Sequence, residues 1–173
     1  SVPVLPEQLD SKKNLFNCQN GTLDLISLEF YGHDREDRCS KIAGVRYDPD
    51  AWCPTWENHL KLIFGDDESF IQDFQTMAGY SLLADNPEQV MFILHGSGKN
   101  GKSVTVSALS GVMGDYASNM AAESLMIKKN SDGPRSDLVK LVGARLITAS
   151  ESDSSHRLSE SLIKLLTGGD TIT

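Results

Sequence analysis

Residues 89–109 read QVMFILHGSGKNGKSVTVSAL, and the fold class turns on them. Val90 to Leu94 is an apolar run with the length and β-branched or aromatic character of a buried strand. It leads into Gly96-Ser97-Gly98-Lys99-Asn100-Gly101-Lys102-Ser103, which fits G-x-x-x-x-G-K-[ST], the pattern of a phosphate-binding loop. A helix is predicted next: Val104, Ala108, Leu109 and Val112 fall three to four apart, and Gly114 can stop it.

The chemistry explains the spacing. Several backbone N–H groups must converge on phosphate oxygens, so Gly96, Gly98 and Gly101 either take positive φ or let the phosphate approach without a Cβ. Lys102 brings a point charge to the β- and γ-phosphates, and Ser103 offers a hydroxyl to Mg²⁺ at the first helical turn. The competing reading is a glycine-rich surface turn, which the flanking strand and helix signals disfavour. ATP and Mg²⁺ are therefore the expected cofactors.

Downstream, Arg145 to Ala149 reads as a second buried strand that ends at Ser150-Glu151-Ser152-Asp153. ATP hydrolysis needs a carboxylate beside the metal and a group that orients water, and a strand beside the loop strand delivers acids from its C-terminal end. Glu151 is the main candidate and Asp153 the second, for metal holding or water positioning. Asp153 has a second reading, as the acidic cap of a helix around Leu158 to Leu166. That helix ends at Gly168-Gly169, where an extended segment from Asp170 to Thr173 begins. Lys164 reads as a charge complementing the helix dipole.

Upstream, residues 1–13 read as a loose arm. Leu15-Phe16, the turn pair Asn20-Gly21, Thr22 to Leu25 and a further strand over Ile42 to Tyr47 make a small β-containing segment. Two helices follow. Trp56, Leu60, Ile63 and Phe64 share one face, with Thr55 as N-cap and Gly65 as stop; Phe70, Phe74, Met77 and Ala78 repeat the pattern to Gly79. Both aromatic stripes read as core. Beyond the loop helix, Met120 to Ala122 reads as a short strand. Lys128 to Arg135 is a basic stretch, either a solvated loop or a contact to nucleic acid or a neighbouring subunit, and Ser136-Asp137 caps a short helix through Leu141.

Charge is uneven. Residues 1–90 hold 7 Lys+Arg against 16 Asp+Glu and residues 91–173 hold 9 against 8, for a net charge of -8. The acidic first half is a poor surface for a phosphate backbone. Hydrophobic content of 39% supports a core, no apolar run reaches the roughly 18 residues of a membrane span, and the first residues carry no secretory pattern. Cys18, Cys39 and Cys53 read as reduced thiols in preference to a zinc site with His33 or His59.

GSGKNGKS, RLITASESD and IKLLTGGDTIT, in this order and at these distances, resemble the superfamily 3 helicases of phage, plasmid and poxvirus primase-helicases. NLFNCQNGTLDL, Trp56 to Asp67 and the Gly79-Tyr80 pair resemble the region just upstream of that ATPase, so the resemblance covers the chain from about Asn14. It implies an α/β fold: a P-loop NTPase core, AAA+-like, preceded by the β-containing segment and a helical linker. The implied division is 1–53 for the arm and β segment, 54–87 for the linker, and 88–173 for the amino-terminal part of the ATPase domain. It also implies that Gly96 to Ser103 bind ATP-Mg²⁺ and that Glu151 and Asp153 form the acidic motif. Lys164, Gly168, Gly169 and Asp170 would belong to the motif leading into a DNA-contacting hairpin.

The implied activity is an ATP-dependent DNA helicase that moves on single-stranded DNA during replication. It works as a hexameric ring in the cytoplasm of a bacterium or an infected host cell, with no membrane partner. The rest of the hairpin, an asparagine motif and an arginine finger are expected after Thr173, which makes the chain a fragment with little activity of its own. The alternatives are another P-loop motor, such as a DNA packaging ATPase, or a non-catalytic interaction fragment.

Overall fold

The computed structural model describes residues 5–126, 139–150 and 158–168, and all structural statements refer to these. The chain has an α/β fold: an N-terminal antiparallel β segment comes first, and helices follow it. Strands β1 (Leu15–Cys18), β2 (Gly21–Asp24) and β3 (Phe30–Tyr31) form that meander. Cys18 pairs with Gly21, so Gln19 and Asn20 are the two-residue turn. The preceding arm is tied down more than its composition suggests. Asp10 accepts from the Ser40 amide at 2.7 Å and from the Ser40 hydroxyl, and Lys12 Nζ lies 2.9 Å from the buried Asp37.

The strand expected over Ile42 to Tyr47 is not formed. This segment lies beside β1 and shares two backbone bonds with that hairpin, Ala43 N to Asn17 O at 2.8 Å and Gln19 N to Val45 O at 3.0 Å, but its end is held by a side chain: Asn20 accepts from the Tyr47 amide at 2.7 Å and donates to the Tyr47 carbonyl at 2.9 Å. The backbone on either side of Ala43 is spent on the end of the third helix. Gly44 N donates to Val112 O at 3.0 Å and Ile42 O accepts from Asp115 N at 2.9 Å. A Cβ on Gly44 would strike the carbonyl of Gly111, so only glycine allows the approach.

Helices α1 (Pro54–Phe64) and α2 (Glu68–Tyr80) match the aromatic periodicity. Pro54 opens α1 after Cys53, so the start lies earlier than a Thr55 cap would put it. Gly65 closes α1 in the left-handed region, and Asp67 caps α2 by accepting from the Ser69 and Phe70 amides. Leu60 is 1% exposed, and the rings of Trp56 and Phe64 pack on Phe74, with centroids 6.3 and 5.5 Å away.

Val90 to Leu94 is irregular and exposed, contrary to the buried strand expected there. The physical reason begins at its first residue. The Asn86 side chain accepts from Val90 N at 3.1 Å and donates to Val90 O at 2.9 Å, and Asn86 is itself held by the Tyr80 hydroxyl at 2.7 Å. Val90 thus has both backbone groups committed to a side chain, and no described strand lies alongside.

Helix α3 (Lys102–Met113) forms as expected and stops at Gly114, but its buried face differs. Thr105 and Met113 are 2% and 3% exposed, whereas Val104 and Val112 are 63% and 43% exposed. A 3₁₀ turn over Gly114–Tyr116 leads to β4 (Ala117–Ala121), which pairs in parallel with β5 (Leu146–Ser150). Helix α4 (Glu160–Thr167) is capped by Ser159, whose side chain accepts from Leu162 N, so the cap is Ser159 and not Asp153.

One core joins the two ends of the sequence. Phe16, Cys18 and Ala43 pack with Met113 and Tyr116, against Leu82 and Leu146. Arg145 fastens it, its guanidinium donating to Leu82 O at 2.7 Å and to Leu15 O at 2.5 Å while lying 4.5 Å from the Tyr116 ring centroid. A second cluster sets Met120, Leu141 and Leu162 together under α4.

Candidate functional site

The loop over residues 96–103 is built by its backbone. Gly96 has φ +156° and Lys99 φ +61°, and Gly101, at φ +84°, stands as the N-cap of α3. Having no side chain, Gly101 leaves the first-turn amides of α3 without a side-chain cap, the arrangement in which a helix N-terminus receives an anion. A Cβ on Gly96 would strike the amide nitrogen of Asn100, so Asn100 closes over the start of the loop.

Lys102 is curled inside this loop. Its ammonium donates to Gly96 O and Asn100 Oδ1, both at 2.8 Å, and to Ser97 O at 3.3 Å. All three acceptors belong to the loop, so one side chain holds the ring of carbonyls and amides in shape. Ser97, Gly98, Lys99 and Ser103 are exposed, while Asn100, Gly101 and Lys102 are half-buried.

Beneath the loop lies α1. A Cβ on Gly101 would be 2.7 Å from Ile63 Cγ2 and 3.2 Å from His59 Cε1. His59 Nε2 is 2.9 Å from Thr105 Oγ1, and that hydroxyl is 3.0 Å from Gly101 O. Sequence reasoning weighed His59 only as a zinc ligand and missed Thr105. A histidine on an aromatic helix face and a threonine one turn into the next helix carry no motif, and only the packing of α1 on α3 relates them.

The other expected residues fall in different places. Glu151 and Asp153 lie outside the described residues; β5 is described up to Ser150, which pairs with Ala121. The Lys128 to Arg135 stretch and the Ser136-Asp137 cap are likewise outside them, as are Gly169 and Asp170. Lys164 sits in the last turn of α4, exposed and 2.8 Å from Glu160. That pairing holds the Glu160 carboxyl below its ordinary range and Lys164 above its own. Gly168 ends α4 and donates its amide to Lys164 O at 2.7 Å.

Among the described residues no three His, Cys, Asp or Glu side chains converge on a metal position, and Cys18, Cys39 and Cys53 are free thiols. No described helix is long and apolar enough to cross a membrane. Burial pushes the Cys18 and Tyr116 acids up and the Arg145 guanidinium down, as expected for ionisable groups in the shared core.

Residues 1–65 match the family described as D5 N terminal like. The chain is 30% identical to "Putative helicase L207/L206" of Acanthamoeba polyphaga mimivirus, over 99% of its own length and 18% of that protein. It is 28% identical to "Putative helicase 022R" of Frog virus 3 (isolate Goorha), over 61% of its length and 11% of that protein. Against "Putative helicase 121R" of Invertebrate iridescent virus 3 it is 26% identical over 95% of its length. The chain therefore spans about a fifth or less of the length of these curated relatives.

Proposed function

From the chain's place in the phage- and poxvirus-type primase-helicase superfamily, we propose that it carries the ATP-binding loop of an ATP-dependent DNA helicase. The observation that carries the reading is Lys102: its ammonium lies inside a glycine loop that opens directly into an uncapped helix N-terminus. Such a loop fits a triphosphate chemically. The amides and the lysine supply positive potential, the glycines leave room, and the exposed Ser103 hydroxyl is a ligand for Mg²⁺.

Gly96, Ser97, Gly98, Lys99, Asn100 and Gly101 form the cradle in this proposal. Lys102 neutralises the phosphates, and Ser103 holds the metal with Glu151 or Asp153, one of which orients water. Bound ATP-Mg²⁺ supplies the phosphoryl group whose hydrolysis drives motion. Lys164, Gly168, Gly169 and Asp170 belong to the DNA-facing motif. The division into 1–53, 54–87 and 88–173 and the P-loop NTPase class form part of the same proposal. So do single-stranded DNA as partner, a hexameric ring of the longer protein and a cytoplasmic site of action.

Titration calorimetry of the chain with ATP-Mg²⁺ tests it. Lys102→Ala should weaken binding at least about tenfold, or roughly 1.4 kcal/mol. Equal affinity of the two proteins refutes the loop assignment. Stimulation of ATP hydrolysis by single-stranded DNA in the longer protein would distinguish a helicase from a packaging motor or an idle loop.

A further inference from the structure

The phosphate loop rests on a helix that the sequence motif does not include. Gly101 is the pivot of the loop, and α1 lies so close to it that an added Cβ would come within 2.7 Å of Ile63 and 3.2 Å of His59. The His59 imidazole also reaches past Gly101 to Thr105, one turn into α3. Thr105 is 2% exposed, and among the described residues its hydroxyl bonds His59 Nε2 at 2.9 Å and Gly101 O at 3.0 Å. With the hydroxyl proton directed at the Gly101 carbonyl, His59 is the donor and the chain runs Nε2–H to Oγ, then Oγ–H to O=C of Gly101. That carbonyl also accepts the Thr105 amide at 2.9 Å, which closes the first turn of α3.

The peptide so fixed is the one between Gly101 and Lys102. Its carbonyl points down the helix toward Thr105, so its N–H, carried by Lys102, points out of the helix start into the loop. Holding the carbonyl therefore aims the amide. His59 is in turn held by its neighbours: its ring stacks on Trp56 at 5.7 Å, and Trp56 packs on Phe74 of α2.

We propose that His59 is a positioning residue of the nucleotide site, which acts through Thr105 to orient the Gly101–Lys102 peptide and so sets affinity for the phosphates of ATP. The inference rests on the nucleotide reading above. It adds that the helical segment before the loop is a working part of the site, through one hydrogen-bond relay.

The test is ATP-Mg²⁺ titration of the full chain carrying His59→Phe, His59→Gln, Thr105→Val or His59→Phe with Thr105→Val, each with a thermal melt. His59→Phe keeps a flat ring beside Trp56 and removes the donor; it should weaken ATP binding about five- to twentyfold. His59→Gln places an amide N–H near the position of Nε2 and should recover affinity to within about threefold of wild type. Thr105→Val should match His59→Phe, and the double variant should be no worse than either alone, because both cut the same relay.

ATP affinity in His59→Phe equal to wild type overturns the inference. So does a loss that His59→Gln fails to restore although it melts like wild type, since the role would then be packing alone. Binding by wild type and loss in Lys102→Ala show that the nucleotide reading stands in either case. Failure of wild type to bind ATP overturns that reading, and this inference with it.

Discussion

Replacing Arg145 by Met should cost the chain about 2–4 kcal/mol of folding stability, and the figure follows from what the guanidinium touches. It gives two charge-assisted hydrogen bonds, to Leu82 O at 2.7 Å and Leu15 O at 2.5 Å, each worth about 1.5–3 kcal/mol. It also lies 4.5 Å from the Tyr116 centroid and 5.6 Å from that of Phe16, adding about 1 kcal/mol. Against this gross loss of about 4–7 kcal/mol stands relief from burying a cation, several kcal/mol. Met refills much of the volume but leaves two carbonyls without their donors, so the balance stays unfavourable.

Lys at this position keeps the charge yet reaches one carbonyl at a time, so Arg145→Lys should cost about half as much. Urea denaturation of the chain, followed by the fluorescence of Trp52 and Trp56 and by circular dichroism, measures both. At a slope of about 2 kcal/mol per molar, the Met variant should lose about 1–2 M in midpoint. Because Arg145 joins β1, the end of α2 and β5, the variant should still unfold in one transition. A midpoint within about 0.2 M of wild type would refute the account of Arg145, and separate transitions in the two signals would refute a single shared core.

Gly101→Ala should destabilise the chain by about 2–4 kcal/mol in the same assay. A left-handed φ costs a residue with a Cβ about 1–2 kcal/mol, and that Cβ would lie 2.7 Å from Ile63; a loss below about 1 kcal/mol would mean that α1 does not press on the loop. Alkaline pH should destabilise through the core acids. Burial raises the folded-state values of Cys18 and Tyr116 above their ordinary 9.0 and 10.0, so the stability they contribute is whole below about pH 9 and is lost as pH rises through 10 and beyond. Midpoints that fall between pH 8.5 and 10.5 in wild type, and fall less in Cys18→Ala, are expected; a flat profile would contradict the burial of both groups.

The periodic parts of the sequence were legible because each carries its own signal. Asn20-Gly21 marked the hairpin one residue late, its turn being Gln19-Asn20; the aromatic spacing of Trp56 to Phe64 and Phe70 to Ala78 marked α1 and α2, and Gly114 marked the end of α3. Readings failed where a polar side chain competes with the backbone. Asn86 takes both backbone groups of Val90, and Asn20 takes those of Tyr47 while Ile42 and Gly44 bond the end of α3, so neither stretch that read as a strand forms a regular ladder. The buried face of α3 was misjudged for a related reason: Thr105 is buried because His59 and Gly101 satisfy its hydroxyl, a compensation invisible to hydropathy. The candidate loop residues were picked out by motif alone. Their support was not, because His59 and Thr105 are 46 residues apart in sequence.

The exposed run that follows Asn86 has a consequence for the chain in concentrated solution. Val90 to Leu94 presents five neighbouring apolar side chains, each between 39% and 72% exposed, with no Pro and no charge among them, and no described strand beside its backbone. That is the make-up of an adhesive edge: a second molecule can lay the same segment alongside, pair with the N–H and C=O groups of residues 91–94, those of Val90 being held by Asn86, and remove the apolar side chains from water in one step. The gatekeepers at its borders are weak, Glu88 on one side and His95 on the other. Clumping of this chain would therefore start at residues 90–94 and proceed from the folded molecule, with no need to melt the core held by Arg145.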